Sequence, residues 1–172
     1  MKALFSEKCE ALMTAITTVL GSVPSYTKTH QQVIEGYAAL KELALKTGFS
    51  RSMSDKVYLQ RYLMSWGVIF KKEGDGVYIA LLIQLHEGKE DELLDWPFTK
   101  EMNLSLIHPK TRQERHVGQK TSTAEDYKRH YCRPIGGSNI AVYFGPPRFQ
   151  SSDIERDGYV EEDQLLLRLE VL

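Results

Sequence analysis

The chain has 172 residues, of which 42% are hydrophobic and 26% charged, and its formal net charge is −1. A globular chain of this length buries a core without needing disulfides or a structural metal. The near-neutral charge argues against a general nucleic-acid-binding protein, whose phosphate contacts require an excess of basic residues. No run of about 18 apolar residues is present, so the sequence predicts no membrane insertion.

The cysteine content limits the chemistry that the chain can support. Cys9 and Cys132 are its only cysteines, which are too few for a disulfide framework or a structural zinc site. Glu7 and Glu10 interrupt the first apolar stretch, a pattern unlike that of a secretory signal. We therefore expect two reduced thiols in a cytoplasmic protein with no metal and no cofactor.

Two helical segments are predicted within residues 1–48. Over residues 4–20, apolar side chains recur every three or four positions, which is typical of one face of a helix. A second helix is predicted to begin at Thr29, with Gln32 three positions later in the spacing of a capping box, and to end at Gly48. Its apolar positions step by four, three and four, which predicts a short coiled coil and an oligomerisation seam at Val33, Tyr37, Leu40 and Ala44.

Beyond Gly48, short apolar runs separated by turn residues predict an antiparallel β domain over residues 49–172. Asp75-Gly76 lies between two apolar runs and is a strong hairpin signal, because these residues readily adopt the left-handed backbone conformation. The fold class is therefore mainly β, an antiparallel β-sandwich preceded by two helical segments. The predicted strands span residues 58–62, 64–70, 77–85, 103–107, 140–144 and 165–171.

The near-zero net charge hides an uneven distribution along the chain. Residues 108–133 contain seven Lys or Arg against three acids, whereas residues 151–170 contain seven acids against two arginines. One interpretation is that both segments are solvated loops that partly pair with each other.

Four segments of the chain form an ordered set of motifs. One is Leu-Leu-Asp-Trp-Pro-Phe at residues 93–98, followed by Asn-Leu-Ser-Leu-Ile at 103–107. The others are residues 76–85 with Gly88 and Asp91 behind them, Arg133-Pro134 with Asn139-Ile140-Ala141, and residues 158–163 leading into 165–171. In their order and spacing these segments resemble the C-terminal domain of the TRAF family, a MATH-type β-sandwich in which a Leu-rich turn ending in Trp-Pro-Phe precedes a strand.

The resemblance covers residues 58–172 and implies a non-enzymatic intracellular adaptor in signal transduction. In such adaptors a coiled coil gathers three sandwiches, and each sandwich binds a short extended peptide from a receptor tail. Added peptide strands supply main-chain hydrogen bonds, while side-chain pockets supply specificity. Three weak sites on one trimer respond to clustered receptors, because each further contact becomes intramolecular.

The residues of the peptide groove depart from the family pattern. The family's Arg and Tyr on the peptide-contacting strand fall at Gly67 and Ile69, and its serine cluster falls at Lys128, Arg129 and His130. The exchange of hydroxyls for cations favours an acidic or phosphorylated peptide. In the alternative, Tyr143 fills the groove and the domain is an assembly or regulatory module. The resemblance places the peptide site at Ile69, Lys128, Arg129, His130, Asn139, Ile140, Ala141, Val142 and Tyr143.

The family's first strand, with its Trp-x-Ile pattern, has no match in the sequence, and the two helical segments stand in its place. Loss of that strand would expose a sheet edge, which proteins cover or charge. Residues 1–48 are therefore either the stalk of a homotrimer or a helical hairpin that covers the edge of the sandwich.

Two further functions remain open from the residues alone. Cys132 and His130 are two positions apart, so an imidazole could activate the thiol of a cysteine hydrolase, although no orienting third group is evident. Lys128 and Arg129 could instead line a site for anions or carbohydrates in the sandwich. The substitution Cys132→Ser separates the first function from the adaptor, because an adaptor keeps partner binding.

Overall fold

The computed structural model describes residue 11 and residues 27–122 and 124–172. The first predicted helix, residues 4–20, lies outside the described residues except for residue 11. Within the described part, two antiparallel sheets pack into a β-sandwich with three short α-helices at its ends and edges. The predicted fold class, a mainly antiparallel β-sandwich, is confirmed.

The strands of sheet A are β1 (Thr29–Glu35), β6 (Met102–Ile107), β7 (Glu114–Gln119), β10 (Val160–Glu161) and β11 (Gln164–Val171). Their order is β1-β11-β6-β7, with β10 also paired to β11.

The strands of sheet B are β2 (Phe49–Met53), β3 (Val57–Leu59), β4 (Tyr62–Glu73), β5 (Gly76–Leu85), β8 (Val142–Tyr143) and β9 (Phe149–Gln150). Their order is β2-β4-β5-β8, with β3 paired to β4 and β9 paired to β5. The helices are α1 (Tyr37–Thr47), α2 (Glu125–Tyr131) and α3 (Ser151–Arg156), with a 3-10 helix at Asp91–Leu93.

The core lies between the inner faces of the two sheets. Alternate residues of each long strand are fully buried, and each buried aliphatic or aromatic side chain contributes about 1.5–3 kcal/mol to folding. Because a one-residue slip would turn these side chains to solvent, the alternation also sets the strand register. The fully buried side chains of the two central strands β4 and β11 are Met64, Trp66, Val68, Phe70, Leu165, Leu167, Leu169 and Val171.

The Trp-Pro-Phe segment forms a packed corner between β5 and β6, as predicted. The Phe98 ring is fully buried, and the Tyr62 ring meets the rings of Trp96 and Phe98 edge-on at 5.2 and 4.9 Å between centroids. The indole N–H of Trp96 donates a hydrogen bond of 2.8 Å to the carbonyl oxygen of Asp91. The corner therefore combines ring packing with a satisfied indole donor.

The prediction of one helix from Thr29 to Gly48 is wrong, because the segment is a strand followed by a helix. Residues 29–35 form β1, which pairs with β11 along its whole length. Gly36 then adopts a φ of 70°, which reverses the chain and starts α1. Residues 29–48 thus belong to the sandwich rather than to a separate helical segment.

The predicted coiled-coil seam is therefore corrected as well. Val33 lies on β1 and is 49% exposed, whereas Tyr37 and Ala44 on α1 are buried in the core of the sandwich, at 4% and 0% exposure. Leu40 packs against the same core. The steps of three and four from Tyr37 to Leu40 and Ala44 also fit a short helix packed on the sandwich, whereas the first step from Val33 crosses from the strand into the helix.

The edge strand that was expected to be missing is supplied by β1. Its inward side chains are His30, Gln32 and Ile34, and two of them hydrogen bond to Trp66 of sheet B. The indole N–H donates to His30 Nδ1 over 2.9 Å, and the amide nitrogen of Gln32 donates to the Trp66 carbonyl oxygen over 3.2 Å. Polar groups of β1 therefore join sheet A to the buried Trp66 of sheet B.

The hairpin at Asp75-Gly76 is confirmed, since β4 and β5 pair from Glu73–Gly76 outward. The predicted strand at residues 58–62 is instead β3, a tight turn and the start of β4, and the strand at 140–144 shortens to β8. Strands β1, β2, β7, β9 and β10 and helices α2 and α3 were not predicted.

Candidate functional site

The outer face of sheet B carries a row of side chains that do not enter the core. Ile69 and Lys71 project outward from β4, opposite Arg51 and Phe49 of β2. On the other side of β4, their neighbours are the outward residues of β5. Tyr143 of β8 extends the same face beyond β5.

A cavity of about 530 Å³ lies on this face. Its floor is Ile69, which is 8% exposed, and its walls include the rings of Phe49 and Tyr143, which are 55% and 42% exposed. Two lysines complete the lining, so the cavity combines an apolar base with a cationic rim. The lining residues are Gly48, Phe49, Ile69, Lys71, Lys72 and Tyr143.

The cations of this face are not neutralised by nearby carboxylates within the described residues. Lys71 Nζ donates to the Tyr143 hydroxyl and lies 4.5 Å from the centroid of that ring. Lys72 Nζ lies 3.4 Å from the carbonyl oxygen of Leu45 at the end of α1. Arg51 is exposed, and no ion pair involves it in the described part of the chain.

Glu73, two residues after the cavity residue Lys71 on β4, is engaged by another cation. Arg148 holds both carboxylate oxygens of Glu73, and its guanidinium lies 4.2 Å from the centroid of the Tyr78 ring. The hydrogen bonds from Arg148, followed by the charges of Arg148 and Lys71, lower the pKa of Glu73. Lys71 and Lys72 therefore remain available to an anionic ligand.

Gly67 marks a close approach between β2 and β4 on this face. A Cβ atom at this position would lie 1.9 Å from the backbone carbonyl oxygen of Ser52 on β2. The backbone of β2 thus occupies the space that a side chain would need. The cations of the face are Arg51, Lys71 and Lys72, which the predicted site did not include.

Of the predicted peptide-site residues, the structure brings Ile69 and Tyr143 together in the cavity. The other predicted residues do not line it. Val142 faces the core and is 6% exposed, and Ala141 is half-buried, whereas Ile140 is 64% exposed beside them.

The predicted site residues Lys128, Arg129 and His130 lie in the last turn of α2. The ion pair and hydrogen bonds around them hold the end of this helix in place. Lys128 Nζ pairs with a carboxylate one helical turn earlier at 2.6 Å. His130 Nδ1 lies 2.9 Å from the carbonyl oxygen of Ile140. The amide nitrogen of Asn139 donates to the carbonyl oxygens of His130 and Cys132 at 3.1 and 2.7 Å. These bonds satisfy the end of α2 and join it to β8.

Cys132 and His130 do not form the thiol–imidazole pair that a cysteine hydrolase would need. Cys132 Sγ is within 3.3 Å of the carbonyl oxygen of Arg129 and 3.9 Å of the side-chain oxygen of Asn139. His130 Nδ1 faces Ile140 instead, so neither contact activates the thiol. Among the described residues, no group of three or more His, Cys, Asp or Glu could hold a metal ion. No helix in that part of the chain is long and apolar enough to cross a membrane.

The basic and acidic segments partly pair, as one interpretation of the sequence predicted. Lys110 Nζ lies 3.0 Å from Glu161, and Arg115 lies 3.2 Å from Asp157. These contacts join the β6–β7 hairpin to the segment that leads into β11. The basic segment is therefore not the cationic surface of the cavity, which belongs to β2 and β4.

A second cavity of about 470 Å³ lies between α1 and the segment before β11. Glu155 links its two sides, because it accepts hydrogen bonds from the Tyr37 hydroxyl at 2.8 Å and from Lys41 Nζ at 2.6 Å. Burial, followed by the contact with Glu155, raises the pKa of Tyr37. These contacts fasten α1 to α3.

A family model for the TRAF/meprin MATH domain matches residues 51–168, which is more than half of the chain. The chain belongs to this family. A solved structure named Notothenia coriiceps TRAF5 is similar over 99% of this chain and 86% of its own, with 21% sequence identity and a TM-score of 0.69. At that identity the likeness shows the fold. The family match and the sandwich identify an adaptor-type module for protein interaction, the predicted class of function.

Proposed function

We propose that this MATH domain is a non-enzymatic adaptor that binds an extended acidic segment of a partner protein, such as a receptor tail, on the outer face of sheet B. The observation that supports this site is the cavity with an apolar floor and a cationic rim. In the described residues no acidic side chain lines the cavity, so an acidic segment is electrostatically complementary to it.

The cavity suits one large side chain of the bound segment, with neighbouring acids over the rim. Filling it with an apolar side chain contributes about 1.5–3 kcal/mol, and pairing with exposed lysines adds less than about 1 kcal/mol each. These terms support only modest affinity for a single site after the cost of association is subtracted. Oligomerisation would raise the effective affinity for clustered partners.

We also propose that the chain acts as a cytoplasmic homo-oligomer, a trimer in the simplest case. The pattern that supports this proposal is the apolar helical face predicted at residues 4–20, because the seam predicted over residues 33–44 belongs to the sandwich. Gln60 N donates to Thr27 O at the end of sheet A where β1 begins. Gln60 precedes the start of β4, whereas the cavity residues Ile69, Lys71 and Lys72 lie toward the other end of that strand. An oligomer formed through residues 4–20 would therefore leave the cavity accessible.

The proposed site is tested by NMR titration of the isotope-labelled chain with an acidic nine-residue peptide that contains one tyrosine. We expect amide shifts at residues 48–51, 69–72 and 143, and affinity that falls as salt rises, because exposed charges are screened. The double substitution of Arg51→Glu and Lys71→Glu should weaken binding at least tenfold. Lys89→Glu is the matched control, since it changes an exposed lysine in the loop after β5. Shifts on another face, or equal loss in the control, would contradict the proposed site.

The proposed oligomer is tested by sedimentation of the whole chain and of residues 27–172. We expect an oligomer that becomes a folded monomer when residues 1–26 are removed, because the described residues form the sandwich. A monomer in both forms would exclude clustering as the basis of affinity. An oligomer in both forms would place the contact within the sandwich.

A further inference from the structure

We propose that the cavity on the outer face of sheet B selects a phosphotyrosine in the partner segment. This inference rests on the proposed function, because it names the side chain that enters the same site. The ring would lie on Ile69 between Phe49 and Tyr143, and the phosphate would meet the cations at the rim.

The aromatic part of the argument comes from the shape and lining of the cavity. Phe49 and Tyr143 leave about half of their surfaces uncovered, with exposures of 55% and 42%, beside a floor residue that is 8% exposed. A ring that enters between them gains edge or offset stacking contacts. Aspartate, glutamate and phosphoserine side chains have no ring to occupy a cavity of about 530 Å³.

The phosphate part of the argument comes from the donors at the rim. Lys71 Nζ donates to the Tyr143 hydroxyl and lies over the ring of Tyr143, so an ammonium and a hydroxyl stand side by side at the rim. Arg51 does not line the cavity, but it is exposed on the same face, directly opposite Ile69 across the β2–β4 pair. A phosphate dianion that reached both Lys71 and Arg51 would gain charge-assisted hydrogen bonds from each.

The local balance of charge favours a dianion over a neutral tyrosine. Glu73, at the end of β4, is held by Arg148 on the side of β4 that faces β5 and β9. A phosphate carries a charge of about −1.5 to −2 at neutral pH, so it gains more from Lys71 and Arg51 than one carboxylate does.

The test compares four fluorescein-labelled peptides that differ at one central position within the same acidic sequence. The position carries phosphotyrosine, tyrosine, phosphoserine or glutamate, and binding to the whole chain is measured by fluorescence anisotropy. We expect the phosphotyrosine peptide to bind at least tenfold more tightly than each of the others. The phosphoserine peptide keeps the phosphate without the ring, and the tyrosine peptide keeps the ring without the phosphate.

Two variants and a control locate the effect. Lys71→Met keeps the aliphatic stem but removes the charge, and it should lower the preference for phosphotyrosine over tyrosine at least fivefold. Phe49→Ala should lower the preference for phosphotyrosine over phosphoserine by a similar factor. Lys89→Met, on the exposed loop after β5, should change neither preference. An unchanged amide spectrum away from residues 48–72 shows that each variant is folded.

The outcomes separate this inference from the proposed function. Equal binding of the phosphotyrosine and phosphoserine peptides, or of the phosphotyrosine and tyrosine peptides, overturns the selection. If the glutamate peptide still binds in those cases and loses affinity in Lys71→Met, the acidic-segment site remains. If none of the four peptides binds on the face of sheet B, both proposals fail.

Discussion

Gly67→Ala is the substitution for which the structure gives the most definite expectation. The added Cβ would stand 1.9 Å from Ser52 O, 2.8 Å from Ser52 C and 2.9 Å from Met53 Cα. All three atoms belong to the backbone of β2, so no side-chain rotation relieves the overlap. Ordinary carbon–oxygen contact needs more than 3 Å, and β2 must therefore move away from β4 by more than 1 Å.

The expected loss of stability follows from the hydrogen bonds beside Gly67 that a displacement of β2 would break. Next to Gly67, Ser54 N donates to Trp66 O over 2.8 Å, and Trp66 N donates to Ser54 Oγ over 3.2 Å. Each such hydrogen bond contributes about 0.5–1.5 kcal/mol, and overpacking of a rigid site costs about 1–3 kcal/mol. We expect Gly67→Ala to lower the free energy of unfolding by about 2–4 kcal/mol.

Urea unfolding followed by tryptophan fluorescence measures this difference, because Trp66 is fully buried beside the perturbed strand. Gly145→Ala is the matched control, since a Cβ there meets no atom within 4 Å. It should change stability by less than about 0.5 kcal/mol. If Gly67→Ala costs no more than Gly145→Ala at an unchanged m-value, the close approach of β2 to β4 is refuted.

Three further expectations concern groups outside the cavity. Burial, followed by the charge of Lys56, lowers the pKa of His86. Its contribution to stability is therefore complete above the unfolded pKa of about 6.5 and is lost as pH falls through the folded pKa. His86→Gln should flatten the loss of stability between pH 7.5 and 5, measured by urea unfolding at each pH. Tyr37→Phe removes the hydroxyl bonded to Glu155 and should lower the free energy of unfolding by about 1 kcal/mol in urea. Asn139→Ala removes both amide donors at the end of α2 and should speed amide exchange there and alkylation of the Cys132 thiol.

Each of these expectations has a clear contrary result. If the free energy of unfolding falls equally with pH in the wild type and in His86→Gln, the pKa of His86 is not lowered by burial. Unchanged stability in Tyr37→Phe would mean that Lys41 alone fastens α1 to Glu155. Unchanged alkylation and exchange in Asn139→Ala would mean that α2 is held by its packing rather than by the amide.

The long strands could be predicted because their burial follows a simple period. In β4, β5 and β11 every second residue enters the core, and the hairpin between β4 and β5 carries an Asp-Gly turn. Strand β1 was mistaken for helix because Val33 happens to continue the spacing of Tyr37, Leu40 and Ala44. Its identity as a strand depends on pairing with β11, whose partners lie from 129 (Glu35–Gln164) to 141 (Thr29–Glu170) residues away in sequence.

Strand β2 was missed because its polarity is inverted. Its inward residue Ser50 is 3% exposed and donates from Oγ to the carbonyl oxygen of Leu40 over 2.6 Å, while Phe49 projects outward. A pattern that assigns apolar residues to the core cannot recognise such a strand. The same inversion places the exposed ring of Phe49 at the candidate site, and only Ile69 and Tyr143 of the six residues that line the cavity were predicted.

The pairing of β1 with β11 brings two distant parts of the chain side by side. Thr29 lies opposite Glu170, and Val171 N donates to Lys28 O over 2.8 Å. A short glycine-rich linker could therefore connect residue 172 to residue 27, and a circular permutant could be opened in a surface loop. In the chain without such a linker, a fluorophore or a surface tether fused at residue 27 or residue 172 would emerge on the side of the sandwich remote from the cavity. The outer face of sheet B would then stay open to solution.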